Sequence, residues 1–459
     1  MLNQGDPVAT RQVNRRIVAE RVDNKNFIGN LPCAVQSGAQ RLFRIEGQYD
    51  DGRSHNIDGI PNAIRVTRLH IELPARNLAC LYRLQDPMKI LLVGNYEFDG
   101  STSMKIWADT LLRELLQLGV DVELIAPKPL FGRIKPGSSG FGKWLGYCDR
   151  FLIFPRALQT AASRADVVHI CDHGGAMYAL RLKGKPVLVT CHDMLAVRGA
   201  FGELPEMKAS IFGHILQRWI CHGVRRARLV ACVSQYTFDD ARRILQRDGN
   251  LRVVLNALNY PFQQISADEA DARLADFPQI DRPFVLHVGS SQKRKNREGV
   301  LRVFARASRD LDISLVIAGE TLSRDQARLA RELKINGRIV QLVKPDVKII
   351  EALYNRAIAL LFPSRYEGFG WPSIEAQACG CPAVVSNIPP LVEAMGQSAI
   401  LHSLDDEEGM AASVRRLATD PAFREEMRRC GLGNVRTRFQ TARMMEQYLT
   451  LYRELACQR

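Results

Sequence analysis

No stretch of this chain approaches the roughly 18–20 consecutive apolar residues that a membrane-crossing helix needs. The N-terminus also lacks the apolar core of a secretory signal. Cysteine is present but unpatterned: eleven are scattered from Cys33 to Cys457, and the closest pair, Cys379-Gly-Cys381, does not have zinc spacing. An odd, scattered set without an export signal argues against a disulfide scaffold and reads as buried thiols in a reducing compartment. No G-x-G-x-x-G follows an apolar strand run, which argues against a dinucleotide oxidoreductase. Low-complexity segments and short fixed-period repeats are missing too. The chain is expected to be soluble and cytoplasmic.

Periodicity is what the first 87 residues lack. They hold twelve Lys or Arg, of which only Lys25 is lysine, and their apolar residues follow no sustained period of 2 or 3.6. Residues 1–87 therefore read as a poorly structured extension, or as sequence upstream of a real start at Met88. From Met88 the signal is strong. Lys89–Asn95 is a buried-strand run, and Thr102–Leu118 is an amphipathic helix with Met104, Trp107, Leu111, Leu112, Leu115 and Leu118 on one side, ended by Gly119. Further strand runs read at 120–127, 166–171, 186–193, 229–234 and 251–257. After a polar stretch near Ser266–Arg282 the alternation restarts, with runs at 283–289, 313–319, 338–343, 357–364 and 381–387. Strand-helix alternation predicts parallel sheets covered by helices, and two sets predict two doubly wound α/β domains facing across a cleft. The expected boundaries are 88–278 and 279–436. A closing helix from Thr437 to Ala456, within a segment 437–459, is expected to pack back on the first domain.

Length suits two domains of roughly 150–200 residues. Hydrophobic and charged shares of 46% and 24% are ordinary for a globular protein. A net charge of +14 fits solubility equally with a basic face for phosphorylated ligands or anionic lipid.

The most informative segment is PSRYEGFGWPSIEAQACGCPAVVS, from Pro363. A strand ends near Ser364, and a loop carries Glu367, Gly368, Phe369 and Gly370. Pro372 stands at the start of a helix that includes Glu375. Glycines let backbone amides approach phosphate or sugar oxygens, and the helix N-terminus favours negative charge. Carboxylates suit sugar hydroxyls because they accept strong hydrogen bonds. A second cluster, Lys293-Arg-Lys295, follows Gly289 at a strand end and precedes a helix beginning near Asn296. Cations at such a junction suit a pyrophosphate, whose charge grows as it leaves. Taken alone, both segments would also serve as solvated loops.

Glu-x7-Glu in this context resembles the signature of glycosyltransferase family 4. The resemblance covers about Met88 to the C-terminus. It implies the GT-B fold, a retaining transfer from a nucleotide-diphosphate sugar, and no metal or other cofactor. It implies that Glu375 holds the donor ribose hydroxyls and Glu367 the donor sugar, with Gly368, Phe369 and Gly370 along sugar and phosphates. Lys295 maps to the phosphate ligand of the family's VG-x4-RKN element, with Arg294 beside it, although Ser290 stands where some members have arginine. In the first domain, His192 in VTCHD maps to a histidine that contacts the donor sugar. Gly100 and Ser101 map to a glycine-rich loop beside the donor. His169 and His173, on DVVHICDHGG, are acceptor-side candidates. His192, Glu367 and Lys295 are the expected catalytic residues.

Asp310-Leu-Asp312 is a DxD by letters, but it lies between a helix and a strand at the wrong end for the cleft. Residues Lys128–Arg156 interleave cations with Phe131, Phe141, Trp144, Phe151 and Phe154, a pattern for peripheral contact with an anionic membrane. It would also suit single-stranded nucleic acid, but the preferred acceptor is a glycan or lipid-linked glycan and no nucleic acid is expected. An epimerase or phosphorylase on the same scaffold, or a non-catalytic nucleotide-sugar binder, remains an alternative.

Overall fold

The computed structural model describes residues 88–100, 102–137, 140–247 and 249–457. Residues 1–87 and the candidate Ser101 lie outside that set.

The apolar runs fold as parallel strands. β1 (Lys89–Val93), β2 (Asp121–Ile125), β3 (Val167–Ile170), β4 (Val187–Cys191), β5 (Leu229–Cys232) and β6 (Leu251–Val253) form one sheet in the order β2-β1-β3-β4-β5-β6. β7 (Phe284–Gly289), β8 (Ser314–Gly319), β9 (Ile339–Val343), β10 (Ala359–Phe362), β11 (Ala383–Ser386) and β12 (Ile400–His402) form a second, in the order β12-β11-β10-β7-β8-β9. All pairings are parallel. Sequence alternation pointed to every strand except β12, a three-residue strand that is only partly buried and so carries no long apolar run.

Central strands such as β4 (VLVTC) and β10 (ALLF) are buried along their whole length, because helices cover both faces. The helices that bear on the site and its surroundings are α1 (Thr102–Gln117), α2 (Gly140–Cys148), α3 (Ile211–Arg226), α4 (Gln235–Leu245), α5 (Arg297–Ala307), α6 (Trp371–Ala378), α7 (Pro389–Met395), α8 (Pro421–Arg438) and α9 (Thr441–Cys457). On α1 the helical spacing of Trp107, Leu111 and Leu115 makes one stripe, and all three are buried in the core that includes Ile90 and Leu92 of β1. Each such side chain contributes about 1.5–3 kcal/mol by leaving water. The same apolar cluster runs on through Phe262, Phe369 and Trp371 to Leu286 and Leu360 of the second sheet, so the two halves share a core.

Strand order fixes where ligands can bind. In the first sheet the chain moves outward from β1 to β2, then crosses to β3 on the other side; in the second it does the same at β7 and β10. At such a switch point the connections after neighbouring strands diverge to opposite faces and leave a crevice at the carboxyl ends. Lys293–Lys295 follow β7 and the Glu367 loop follows β10, so both motifs flank one crevice.

The expected helix from Thr437 to Ala456 is α9, which starts four residues later, at Thr441. α8 ends at Arg438, the chain turns at Phe439, and α9 begins at Thr441. Phe439 is buried with its ring edge-on to Phe369 at 5.6 Å, so tertiary packing decides the break. α9 then lies on the first sheet, against β3 and β4, where Tyr448 and Tyr452 are fully buried. Among the described residues no helix is long and apolar enough to cross a membrane.

Candidate active site

β7 ends at Gly289, and a single 3-10 turn over Lys293–Lys295 leads to Asn296, which takes a left-handed conformation (φ 53°) and caps α5 by accepting from the Gly299 amide at 3.3 Å. This tight reversal turns Lys295 inward. Its ammonium lies over the Phe362 ring, 4.6 Å from the centroid, and donates to Glu367 Oε1 at 2.6 Å. Arg294 donates from Nη1 to Glu367 Oε2 at 3.0 Å and to the Tyr366 carbonyl at 3.3 Å. The two loops are also joined through backbone, Arg365 N–H to the Arg294 carbonyl at 2.7 Å.

Lys295 and Glu367 are both buried. Burial pulls the Lys295 ammonium below its ordinary value, a loss only partly offset by Glu367. Burial pushes Glu367 up, but Lys295 and Arg294 outweigh it and hold the carboxylate below the usual range. Glu375 follows in the second turn of α6. It accepts from the Tyr354 hydroxyl at 3.1 Å. Burial raises its carboxyl to about 7, against the opposing hydrogen bonds of Tyr354 and Asn259 and the charge of Lys295. The three predicted residues thus share one electrostatic neighbourhood.

The loop between them is built from close approaches. A Cβ on Gly368 would stand 2.1 Å from the His192 carbonyl oxygen, so no other residue fits there. Gly370 has φ 97° and begins α6, a conformation that glycine adopts without steric cost. The Phe369 side chain is buried against Trp371, so what it can offer a ligand is backbone.

In the first half, His192 follows β4. Its Nε2 lies 3.0 Å from the Cys171 carbonyl. A carbonyl only accepts, so Nε2 carries the proton and Nδ1, which is buried without a partner, holds the lone pair. Burial pulls the imidazole below its ordinary value despite nearby Asp172, which favours this neutral form. The ring meets Trp107 edge-on at 5.0 Å and lies 6.1 Å from Trp371 of α6.

The other first-half candidates separate. His169 has no exposed surface. Its two ring nitrogens meet Tyr452 Oη and Thr190 Oγ1, each at 2.8 Å, so it knits α9 to the sheet instead of meeting an acceptor. The strand was legible from sequence; the covering α9 was hidden from a local reading. His173 lies past the β3 end, 3.1 Å from Asp172. Burial lowers its pKa, but the Asp172 carboxylate outweighs that and leaves it raised. Gly100 has φ 71° and is exposed in the turn after β1. Asp310 and Asp312 pair with Arg415 and Arg282 at 3.4 and 3.0 Å, ahead of β8 and so at the opposite sheet edge.

Sequence reasoning missed several supporting residues. Arg297 is buried, and its guanidinium donates to the carbonyls of Gly289 at 2.7 Å and Glu320 at 2.8 Å, fixing the strand end that carries the basic loop. Tyr354 and Asn259 hold Glu375. Neither had a local signal, since each acts across a long sequence distance.

Two family models divide most of the chain. "Glycosyltransferase Family 4" matches residues 104–260 and "Glycosyl transferases group 1" matches residues 274–431. The chain belongs to this glycosyltransferase family. Among its relatives is the O-antigen chain mannosyltransferase B of Escherichia coli, 25% identical over 60% of this chain and 71% of that protein. Similar solved structures include sucrose-phosphate synthase from Thermosynechococcus elongatus (TM-score 0.67, 21% identity, 81% of this chain and 100% of that one). Another is HepE from Anabaena in complex with UDP-glucose (TM-score 0.61, 17% identity, 79% and 99%). The two parallel-sheet domains have the GT-B fold.

The glycosyltransferase holds its halves together beside the crevice. Ser234, at the β5 end, donates to the Gly368 carbonyl at 2.9 Å. Glu393 of α7 accepts from the backbone amides of Gln235 at 2.7 Å and Tyr236 at 3.1 Å, the first two of α4. The Thr237 amide goes to Ser234 Oγ at 3.0 Å, so a residue of the second half completes the capping of a helix in the first.

Proposed function

We propose that this glycosyltransferase moves a hexose from a nucleotide-diphosphate sugar to a glycan or lipid-linked acceptor, with retention at the anomeric carbon and no metal. The observation that carries the reading is the buried Lys295–Glu367–Arg294 cluster at the switch point of the second sheet. Glu367 pairs with both cations, and the cluster keeps a net positive charge. An arriving diphosphate supplies its own negative charge to Lys295 and Arg294, and Glu367 is then free to accept hydrogen bonds from sugar hydroxyls. As the glycosidic bond breaks, charge grows on the diphosphate, where the two cations stabilise it; they supply the charge that a divalent ion would otherwise bring. Glu375, ionised, accepts from the ribose hydroxyls. His192 Nδ1 is an acceptor for a sugar hydroxyl on the other side of the crevice. The acceptor hydroxyl attacks from the face that the diphosphate leaves, and a departing phosphate oxygen takes its proton, so position and electrostatics are what the protein supplies. The reaction is placed in the cytoplasm, at the inner face of the membrane.

A thermal-shift screen with UDP-, GDP- and ADP-sugars, followed by product analysis with and without acceptor glycan, tests the reading. A donor that raises the melting temperature and yields an α-linked product from an α-linked donor supports it. Stabilisation without turnover, or epimerised donor, counts against it.

A further inference from the structure

The first half carries an apolar surface that sugar transfer does not use. Trp144 and Phe141 lie one turn apart on α2, and Phe141 is 62% exposed. Ile211, Phe212 and Ile215 stand on the first turns of α3, where Ile211 is 78% exposed. Trp144 meets Phe212 edge-on at 5.1 Å, so the two helices form one patch. Such concentrations of exposed large side chains on a folded domain mark an interaction surface.

On the α2 side its charge is one-sided. Residues 128–164 hold seven Lys or Arg and one acid, Asp149. That acid is buried: it accepts from the Tyr96 hydroxyl at 2.9 Å and from the amides of Leu130, Phe131 and Gly132 at 2.9–3.1 Å. Asp149 thereby ties the patch to the loop after β1 and offers the surface no negative charge. Lys135 and Lys143 are exposed beside the apolar side chains; just before α3, Lys208 is exposed, as is Glu206, which lies 3.9 Å from Arg365.

We propose that this composite α2–α3 face seats the glycosyltransferase on an anionic phospholipid surface, with Phe141, Trp144, Ile211 and Phe212 entering the acyl boundary and the lysines meeting headgroup phosphates. A self-complementary dimer through the same face would place cation against cation, whereas an anionic bilayer matches both the apolar centre and the charge. The inference deepens the membrane-side placement proposed above and is independent of the transfer chemistry. The α3 part of the face carries no basic-aromatic run of its own. It joins α2 only through the fold.

Flotation of the full chain with phosphatidylcholine vesicles, with and without phosphatidylglycerol, reads the proposal directly, since no donor or acceptor is present. The wild type is expected to float with the anionic vesicles at low salt and to be released by high salt. The Trp144→Ser/Phe212→Ser double variant and the Lys135→Glu/Lys143→Glu double variant are each expected to lose roughly tenfold in vesicle binding while keeping the wild-type melting temperature. Absence of flotation at low salt overturns the proposal. So does wild-type binding by both folded variants, or a concentration-dependent dimer that the Trp144→Ser/Phe212→Ser change abolishes.

Discussion

The carboxyl edges of the two sheets solve different problems with different materials. At the second, charge is buried and paired: Lys295 and Arg294 both meet Glu367, and burial raises the Glu375 carboxyl to about 7. At the first, the residue facing the crevice is a neutral imidazole between two tryptophans, and much of the cationic charge lies outside, on the α2 surface. A diphosphate presents the same chemistry whatever sugar it carries, so its site demands fixed charges on a short loop. An acceptor can be almost any hydroxyl, so its side is assembled from parts with little in common locally.

If the second edge is the electrostatic engine, its cation is the most costly residue to lose. Lys295→Ala is expected to lower kcat by about a thousandfold, about 4 kcal/mol of transition-state stabilisation, with Arg294 still available to keep Glu367 paired. Steady-state transfer kinetics at saturating donor check it. Activity within tenfold of wild type would move the chemistry away from this edge and break the contrast between the two halves.

Glu375 sharpens the contrast through pH. Its carboxyl binds hydroxyls best when ionised, so wild-type donor affinity should rise as pH increases through about 7. Stability runs the other way. The folded pKa lies above the ordinary 4.5, so burying the charge costs nothing at low pH, costs more as pH rises from 4.5, and reaches its full value above about 7. That value is about 3 kcal/mol. Glu375→Gln should therefore weaken donor binding tenfold or more above neutrality and, at the same pH, raise the unfolding free energy. Calorimetric titration and denaturant melts at several pH values read both. A variant that binds as well as wild type removes Glu375 from the donor site, and one that is less stable in alkali overturns the burial cost.

The sheets and the clustering at the second sheet's edge were legible from sequence because their signals are local: apolar runs mark the strands, and Lys295, Glu367 and Glu375 lie within short motifs at strand ends. The first half was less so. His169 and His192 read alike, each on or beside a strand, yet one is locked between Thr190 and Tyr452 and the other faces Trp371. What separates them is α9, some 280 residues away from His169. The break at Phe439 was hidden for the same reason, since the helical period continues through it. Arg297 also reaches the Glu320 carbonyl, and Tyr354 reaches the Glu375 carboxylate, each on another element and more than twenty residues away in sequence.

The smallest effect concerns how the halves meet. Glu393 reaches from α7 to the first two amides of α4, where the partial positive end of the helix favours a full negative charge. Glu393→Gln keeps size and one acceptor oxygen but removes that charge, at a cost of about 1 kcal/mol, or roughly fivefold in an equilibrium constant. Ser234 continues to cap the Thr237 amide and to hold Gly368, so the loop itself stays in place. What weakens is the joint. The expected result is a severalfold rise in donor KM with kcat nearly unchanged, the outcome for a donor that itself draws the halves together. Small-angle scattering without donor should then show a larger radius of gyration for the variant, and the difference should shrink when donor saturates both. A lower kcat with unaltered KM would mean that Glu393 acts on the chemistry through α4 and Ser234, and the two edges would have to be read as one rigid unit instead of two that close on each other.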